Sequence, residues 1–307
     1  MHKNKNLTKR TAASLAAVLA LSSAAAVTAS ASGVKAAPQA IEEISETART
    51  AFSIPSGAYY MNVKINGRDV LPGKVFNLGG VTYVPMFEFA DWLGVFTKSF
   101  DQKSRTAYIS GKNLEVCAIE GKLYISANGR YFYTDGEIIN WGGKLYVPIR
   151  PLVKALNCHI SYNTTENKFI VGSGDSSRLL GGDKVYNKDD VYWLARIISA
   201  EARGEGLRGM MAVGNVILNR MRCPQFPNTI YNVIFDTKYG IQFTPVANGT
   251  IYNSPTAESI IAAKICLEGY SLSSEILYFF NPKIAHSNWI SNNREYAFTV
   301  NNHAFYK

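Results

Sequence analysis

A glutamate at position 201 stands where a helix is predicted to end, and its neighbours indicate that it is buried. The preceding residues have helical spacing, with Leu194, Ile197 and Ile198 on one face. Glu201 follows Leu194 by two helical turns and continues this apolar stripe, and Gly204 is a typical helix stop. Burial and the negative end of the helix dipole both disfavour a carboxylate, so this side chain should stay protonated near neutral pH.

A carboxyl group of this kind can act as the general acid that protonates the bridging oxygen of a glycosidic bond. The alternative is an ordinary glutamate at a helix end, ionised and solvated. Because apolar residues surround Glu201, a buried general acid competes with a solvated, ionised glutamate as the interpretation of this residue.

The first 37 residues have the features of a secretory signal peptide. Positively charged residues precede an apolar run from Ala12 to Val27 that is rich in alanine and serine. Cleavage is predicted after Ala31 or Ala37, and residues 38–57 follow as a polar connector. A membrane anchor is the alternative, but the run is short and weakly apolar for a span of about 20 residues. We therefore expect an exported protein with no stable membrane span once the leader is removed.

Charge and cysteine usage exclude several kinds of partner. The leader holds five basic residues and no acidic ones, so the net charge of +9 falls to +4 without it, and no basic stripe predicts binding to nucleic acid. The histidines form no HExxH motif and the cysteines no CxxC motif, so neither a metal site nor another cofactor is predicted. The cysteines, which either form disulfides or are buried thiols, are Cys117, Cys158, Cys223 and Cys266.

Residues 58–173 are predicted to form a β-rich region that contains a duplication. The sequence Gly79-Gly80-Val81-Thr82-Tyr83-Val84-Pro85 recurs as Gly142-Gly143-Lys144-Leu145-Tyr146-Val147-Pro148. Each copy leads into a short amphipathic helix and then a polar turn and a strand, which predicts two β-β-α-β units.

Residues 174–187 are predicted to be a flexible linker, because they are rich in glycine, serine and aspartate. Residues 188–307 are mainly helical. Asp189 and Asp190 are candidate N-caps for the helix that ends at Glu201, and the helix after it has apolar residues on every face. A third helix covers Thr256 to Leu267, and a strand is predicted from Glu275 to Phe280. The expected fold class is α+β.

The two β-rich repeats resemble the copper amine oxidase-like N-terminal domain found in exported proteins of Gram-positive bacteria. The resemblance implies an α+β accessory module without oxidase chemistry, since His159 is the only histidine in this region. Such a module is expected to bind the cell wall or a protein partner.

The second half resembles the SleB-type cell wall hydrolases, the spore cortex-lytic family, over residues 189–306. The segments that carry the resemblance are residues 195–205 (ARIISAEARGE), 212–220 (AVGNVILNR), 226–230 (FPNTI), 242–245 (QFTP) and the terminal His303-x-Phe305-Tyr306. The resemblance implies a lysozyme-like catalytic domain that cleaves the bond between N-acetylmuramic acid and N-acetylglucosamine in peptidoglycan glycan strands. It also implies secretion to the cell wall or the spore envelope.

Members of that family act as lytic transglycosylases, and the first glutamate of their AEARGE motif is the catalytic acid. The resemblance therefore assigns this role to Glu201, which the burial argument reaches independently. A single carboxyl group suffices if it then takes the proton of the muramyl 6-hydroxyl group as a 1,6-anhydro ring closes. A hydrolase would instead need two carboxyl groups about 5 to 9 Å apart, and Glu205 is the nearest candidate in the sequence.

Other polar and aromatic residues are candidates for substrate binding. Amides can bind N-acetyl groups and aromatic rings can stack on sugar faces, although ordinary core packing is an equal alternative for each ring. Glu205 has the alternative role of holding Arg203 or capping the next helix. The candidate substrate-binding residues are Glu205, Gln242, Phe243, Tyr278, Asn281, His303 and Tyr306.

Three other functions remain open on the sequence. A lysozyme-like muramidase would leave a reducing end in place of the anhydro sugar. A non-catalytic wall-binding protein would not depend on Glu201. An amidase or endopeptidase would need zinc or a cysteine–histidine pair, for which no spacing is present.

Overall fold

Two Gly-Gly pairs begin equivalent units in the first half of the protein. The computed structural model describes residues 53–94, 96–175, 178–285 and 287–307. The residues of Gly79-Gly80 and Gly142-Gly143 have φ angles between 57° and 88°. Glycine adopts such angles without steric cost, and two in succession form the type I′ turn of a tight hairpin. Each pair thus joins two antiparallel strands at the start of one unit.

The β-rich region contains short strands and two short helices. In chain order they are β1 (Tyr59–Tyr60), β2 (Asn62–Ile65), β3 (Arg68–Val70), β4 (Phe76–Leu78), β5 (Val81–Pro85), α1 (Met86–Asp91), β6 (Thr97–Asp101), β7 (Thr106–Gly111), β8 (Leu114–Ile119), β9 (Tyr124–Ala127), β10 (Arg130–Tyr133), β11 (Ile139–Trp141), β12 (Lys144–Pro148), α2 (Ile149–Ala155), β13 (His159–Asn163) and β14 (Lys168–Gly172). The sheets have the strand orders β1-β4-β5-β12-β11, β10-β9-β8-β7-β6 and β13-β14-β2-β3.

The two units pair through equivalent strands. The first runs β4-β5-α1-β6-β7 and the second β11-β12-α2-β13-β14. They join where β5 pairs antiparallel with β12 and Val84 lies opposite Val147. Because these valines hold the same position in the repeat, a local two-fold axis passes between them. The structure therefore contains the duplication that the sequence predicts.

Each unit has one strand more than the predicted β-β-α-β pattern. The additional strands, β6 and β13, lie at the edges of their sheets and have mostly exposed side chains. The alternation of apolar and polar residues that marks a half-buried strand is absent from them, which is why the sequence did not reveal them.

Residues 178–187 differ from the flexible linker predicted from composition. Leu179 and Tyr186 are buried, and a short helix, α3 (Gly182–Val185), lies between them. The Asn128 side-chain amide donates a hydrogen bond of 3.1 Å to the Leu179 carbonyl, and the Gly182 N–H donates one of 2.8 Å to the Asn128 carbonyl. Contacts with a hairpin that lies about 50 residues earlier thus anchor this segment.

The helical region, residues 188–307, follows the predicted order and adds short elements between the main helices. They are α4 (Lys188–Ala202), α5 (Gly206–Arg222), α6 (Ile230–Ile234), α7 (Thr244–Ala247), a 3₁₀ turn (Thr250–Tyr252), α8 (Ala257–Leu267), β15 (Tyr278–Phe280), α9 (Trp289–Asn293), β16 (Tyr296–Val300) and β17 (His303–Tyr306). The strands form a small antiparallel sheet in the order β15-β17-β16.

Asn187, and not Asp189 or Asp190, caps the first long helix. Its side-chain oxygen accepts hydrogen bonds from the N–H groups of Asp189, at 2.8 Å, and Asp190, at 3.3 Å. The predicted caps were therefore wrong by two or three residues. Both aspartates lie instead in the first turn, where their charge suits the positive end of the helix dipole.

Helix α5 is buried on all sides, as its sequence predicts. A Cβ atom on Gly214 would lie 2.8 Å from the Cys266 Sγ atom and 2.9 Å from the Ile198 Cδ1 atom. The absence of a side chain there allows α4 and α8 to pack closely on α5. These three helices form the framework that holds Glu201.

A buried carboxylate joins the β-rich region to the helical region. Glu268 follows α8, and its side chain is only 5% exposed. Arg130 donates two hydrogen bonds of 2.7 Å to its two carboxylate oxygens, and the Tyr186 hydroxyl group donates another of 2.7 Å. Although burial alone would raise the pKa of Glu268, these hydrogen bonds and the charge of Arg130 lower it overall. Both regions belong to one compact unit.

Three predictions concern the ends and thiols of the chain. The signal peptide and most of the connector fall outside the described residues. Within the described residues, no helix has the length and apolar character needed to cross a membrane. The four cysteines are free thiols, of which Cys266 is buried and the other three are partly exposed.

Candidate active site

Glu201 lies in the last turn of α4, and its side chain is only partly exposed. Burial raises its pKa to about 7. No described residue forms a hydrogen bond with its carboxyl group or brings a charge close enough to offset the desolvation. The protonated form is therefore well populated near neutral pH, and burial is the cause.

Glu201 opens onto a groove of about 1280 Å³. The groove is formed by the ends of α4 and α5, the segment from α6 to α7, and the sheet β15-β17-β16 with α9. Its volume exceeds the range usual for a small-molecule pocket, which favours an extended ligand. Charged side chains in its lining are Glu201, Arg220, Asp236, Lys238 and Arg294, and aromatic ones are Phe226, Tyr239, Phe243, Tyr278, Phe279, Phe280 and Trp289.

The fold brings most of the candidate site residues into this groove. They come from segments that are separated by up to about 100 residues in the sequence, and their side chains converge because β15 and β17 are neighbours in one sheet. The candidate residues that line the groove with Glu201 are Gln242, Phe243, Tyr278, Asn281 and His303. Glu205 and Tyr306 are not among the lining residues.

Glu205 has a structural position. Its side chain is buried, and its two carboxylate oxygens accept hydrogen bonds from the Asn302 N–H, at 3.0 Å, and from the Asn302 side-chain amide, at 3.1 Å. It neither binds Arg203 nor caps α5 with its side chain. Instead it ties the turn between β16 and β17 to the start of α5. Glu205 thus lies outside the groove lining in which its substrate contact was predicted.

Replacing Glu205 by alanine should lower the free energy of unfolding by about 2 kcal/mol, because the partly buried donors of Asn302 would lose their acceptor. Urea unfolding measures this change. Glu275→Ala is the control, since Glu275 is 63% exposed and pairs only with Lys307. That variant should change stability by less than about 0.5 kcal/mol. Equal losses in the two variants would contradict the structural role of Glu205.

Tyr306 belongs to the sheet and not to the groove. It is 7% exposed, and its ring stacks on Phe280 with centroids 5.5 Å apart and meets Tyr296 edge-on at 5.7 Å. The ring has the packing contacts that were the alternative to substrate binding for each aromatic residue.

His303 lines the groove and also lies close to the buried carboxylate of Glu205. It is buried, its ring meets Phe279 edge-on at 5.4 Å, and its Nδ1 atom lies 3.9 Å from a carboxylate oxygen of Glu205. Burial lowers its pKa, and the charge of Glu205 offsets only part of this shift. His303 is therefore neutral near pH 7 and contributes a polar edge to the wall of the groove.

Two amides and an aromatic platform provide groups that suit a sugar. The Gln242 side-chain nitrogen donates to the Gly240 carbonyl, at 2.9 Å, and the Asn281 side-chain oxygen accepts from the Lys283 N–H, at 3.0 Å. Arg294 lies over the rings of Tyr278, at 4.5 Å, and Trp289, at 5.2 Å. Exposed aromatic rings and amides of this kind can contact sugar faces and N-acetyl groups.

Asp236 and Arg220 are among the groove residues that were not predicted. Asp236 is a second carboxylate in the lining, and its Oδ1 atom accepts a hydrogen bond of 3.0 Å from the Lys238 N–H. Arg220 is 6% exposed and lies within about 5 Å of three aromatic rings. The only sequence signal was that Arg220 ends the segment AVGNVILNR that supported the resemblance, and no signal marked Asp236.

The histidine of the β-rich region lies on the protein surface. His159 is exposed on β13. Among the described residues, no three His, Cys, Asp or Glu side chains lie close enough to share a metal ion.

Comparison with known proteins identifies both halves of the chain. Residues 204–306 match the family described as Cell Wall Hydrolase, and residues 64–171 match the copper amine oxidase N-terminal domain. The first match contains every predicted groove residue except Glu201, which lies just before it.

Relatives match the C-terminal part. The spore cortex-lytic enzyme of Bacillus subtilis is 41% identical over 105 residues, which are 34% of this chain and 33% of that protein. The solved catalytic domain of the germination-specific lytic transglycosylase SleB from Bacillus anthracis is 37% identical, with 40% of this chain and 97% of that one covered and a TM-score of 0.37. The chain thus spans 33% to 44% of the length of the spore cortex-lytic enzymes of B. subtilis and Oceanobacillus iheyensis.

A shorter relative is matched over most of its length. The cell wall hydrolase CwlJ of Oceanobacillus iheyensis is 35% identical over 104 residues, which are 32% of this chain and 72% of that protein. Because the match to the family, residues 204–306, includes α5, the groove residues of α7 and strands β15 and β17, the family relationship extends to the walls of the site. The chain belongs to the cell wall hydrolase family.

Proposed function

We propose that the protein cleaves the bond between N-acetylmuramic acid and N-acetylglucosamine in peptidoglycan, and that it does so as a lytic transglycosylase. The observation that carries the proposal is Glu201, a carboxyl group with a pKa of about 7 in the lining of an extended groove. The names of the relatives, spore cortex-lytic enzyme and cell wall hydrolase, support a peptidoglycan substrate.

Glu201 would serve as acid and then as base. It first gives its proton to the bridging oxygen as the bond from that oxygen to C1 of the muramyl sugar breaks. The resulting carboxylate then takes the proton of the sugar's own 6-hydroxyl group, and the oxygen of that group bonds to C1. The products are a free 4-hydroxyl group and a 1,6-anhydromuramyl end, and Glu201 regains its proton. A pKa near 7 suits both half-reactions, because neither protonation state is strongly favoured at neutral pH.

Hydrolysis is the second candidate, and the position of Asp236 favours it. Asp236 lines the same groove as Glu201 and carries the only other carboxylate among the described lining residues. A pair of carboxyl groups can cleave a glycosidic bond with water, as nucleophile and acid or as base and acid. In this mechanism the muramyl product has a reducing end.

Mass spectrometry of fragments released from purified sacculi distinguishes the two candidates. For a transglycosylase, we expect anhydromuramyl ends from the wild type, the same ends from Asp236→Asn with the rate reduced less than about tenfold, and no fragments from Glu201→Gln. Reducing ends, together with a loss in Asp236→Asn as large as in Glu201→Gln, would establish hydrolysis and overturn the transglycosylase proposal.

Activity should fall as the pH rises through 7. The pKa of Glu201 in the folded protein is about 7, and only the protonated form can donate to the bridging oxygen. The initial rate at low substrate concentration should therefore be highest below pH 7 and fall about tenfold per pH unit well above it. Initial rates between pH 5 and pH 9 on soluble glycan fragments measure this profile. A rate that stays constant up to pH 9 would contradict the assignment of the acid.

Export and wall attachment complete the proposal. The protein would be secreted to the cell wall or spore envelope, and spore cortex is the substrate that the names of its relatives suggest. The β-rich region would bind the wall or a protein partner. Sedimentation of full-length Glu201→Gln with purified cortex and with vegetative sacculi tests the binding, and a protein that stays in solution with both would contradict it.

A further inference from the structure

Arg220 is a buried cation in the groove, and no acidic side chain in the described part of the chain forms an ion pair with it. Its guanidinium Nε atom donates a hydrogen bond of 2.7 Å to the Leu277 carbonyl oxygen. The Nη1 atom is fully buried without an acceptor, and no described residue accepts a hydrogen bond from Nη2. The charge of Asp236 influences Arg220, but the two side chains form no ion pair. The guanidinium group of Arg220, a planar fork of N–H donors, therefore lies in the groove lining, and its two terminal nitrogens have no acceptor among the described residues.

The surroundings of Arg220 hold the fork in place. Its central carbon lies 4.9 Å from the ring centroid of Phe226 and 5.3 Å from those of Phe243 and Tyr278. The rings restrict the side chain and exclude water, and burial lowers the pKa of Arg220 to about 10. A buried, unpaired charge costs several kcal/mol of folding free energy. An oxygen acceptor from a ligand would offset this cost.

A planar carboxyl-derived group is the acceptor that best fits a guanidinium fork. If the groove binds peptidoglycan glycan, as the proposed function requires, such a group is present on one of its two sugars only. The muramyl sugar carries a lactyl ether at its 3-oxygen, which ends in a carboxylate or, where a stem peptide is attached, in an amide. N-Acetylglucosamine has no such substituent.

We propose that Arg220 binds the carboxyl-derived oxygen of the lactyl group and thereby selects muramyl glycans over polymers of N-acetylglucosamine. The residue acts in specificity and takes no part in proton transfer. It also explains why the terminal nitrogens of this buried arginine have no acceptor among the described residues, since the acceptor arrives with the substrate.

Binding to full-length Glu201→Gln, which should not cleave its ligand, tests the inference by calorimetry. The probes are a peptide-free tetrasaccharide of alternating N-acetylglucosamine and N-acetylmuramic acid, its methylamide derivative, and chitotetraose. Adding Arg220→Met should weaken binding of the muramyl tetrasaccharide by about 10- to 100-fold and of chitotetraose by less than about threefold. If Arg220 binds a carboxylate, Arg220→Met should reduce the affinity for the tetrasaccharide with free lactyl carboxylates more than the affinity for its methylamide. If the two affinities fall equally, the acceptor is the carbonyl oxygen that both probes carry.

Two further variants separate specificity from folding. Arg294→Met removes the other groove arginine, which lies exposed over Tyr278 and Trp289, and should weaken both oligosaccharides equally. Arg220→Lys keeps the positive charge but loses the planar guanidinium group. It should reduce the preference for the muramyl tetrasaccharide over chitotetraose and leave the unfolding midpoint unchanged. Equal weakening of all three probes by Arg220→Met, or no weakening, would overturn the inference. If Glu201→Gln with Arg220 intact bound the muramyl tetrasaccharide no more tightly than chitotetraose while the wild type cleaved sacculi, this inference alone would be overturned. An Arg220-dependent preference without cleavage of sacculi by the wild type would overturn only the proposed function.

Discussion

Replacing Glu201 by glutamine is expected to reduce fragment release from sacculi by at least about 10³-fold, because the amide has nearly the same shape but cannot donate the proton.

The same substitution should stabilise the protein above neutral pH. The folded pKa of about 7 lies above the value of about 4.3 for an unfolded glutamate. A raised pKa means that stability is greatest below the unfolded value and is lost as the pH rises through 7. Removing the carboxyl group should therefore add up to about 3 kcal/mol at pH 8.

Rates on sacculi and urea unfolding at pH 5 and pH 8 measure these two effects. Glu205→Gln is the matched control, because Glu205 is buried close by in the sequence but does not line the groove. It should keep activity within about tenfold of the wild type and should not gain stability at pH 8. If Glu201→Gln lysed sacculi at the wild-type rate while binding persisted, the protein would be a non-catalytic wall-binding protein.

Replacing Glu268 by alanine should lower the free energy of unfolding by about 3 to 5 kcal/mol. The substitution leaves Arg130, whose side chain is 18% exposed, without its partner, and it also removes the acceptor of the Tyr186 hydroxyl group. Because hydrogen bonds lower the folded pKa of Glu268, the stability that this carboxylate contributes is present above about pH 4.3 and is lost as the pH falls through the folded value. Urea unfolding at pH 7 and pH 4 measures both effects.

A double-mutant cycle isolates the contact between the two regions. Arg130→Met combined with Glu268→Leu should recover most of the stability, since no unpaired buried charge remains. Neither residue lines the groove, so the double variant should cleave soluble glycan fragments at the wild-type rate. A double variant as unstable as Glu268→Ala would show that the two charges do not act as a pair.

Local patterns predicted much of the fold. The two Gly-Gly turns and the strands that they join follow from backbone angles that glycine alone adopts at low cost. The long helices α4, α5 and α8 follow from helical spacing of apolar residues and from glycine near their ends. The edge strands β6 and β13 and the anchored segment after β14 lack such local signals, because their contacts come from distant parts of the chain.

For the site, the sequence by itself determined that Glu201 lies in the last turn of a helix on its apolar stripe, and it left a protonated and an ionised carboxyl group as competing interpretations. The burial that raises the pKa of Glu201 was established by the structure. Only the tertiary structure decided which other residues share its groove. It placed Asp236 and Arg220 there, directed Glu205 toward the turn at Asn302, and buried Tyr306 in the sheet. The physical reason is that burial on a helix face depends on neighbours three or four residues away. Which residues line the groove depends instead on how β15 pairs with β17 and packs against α5, which no local spacing encodes.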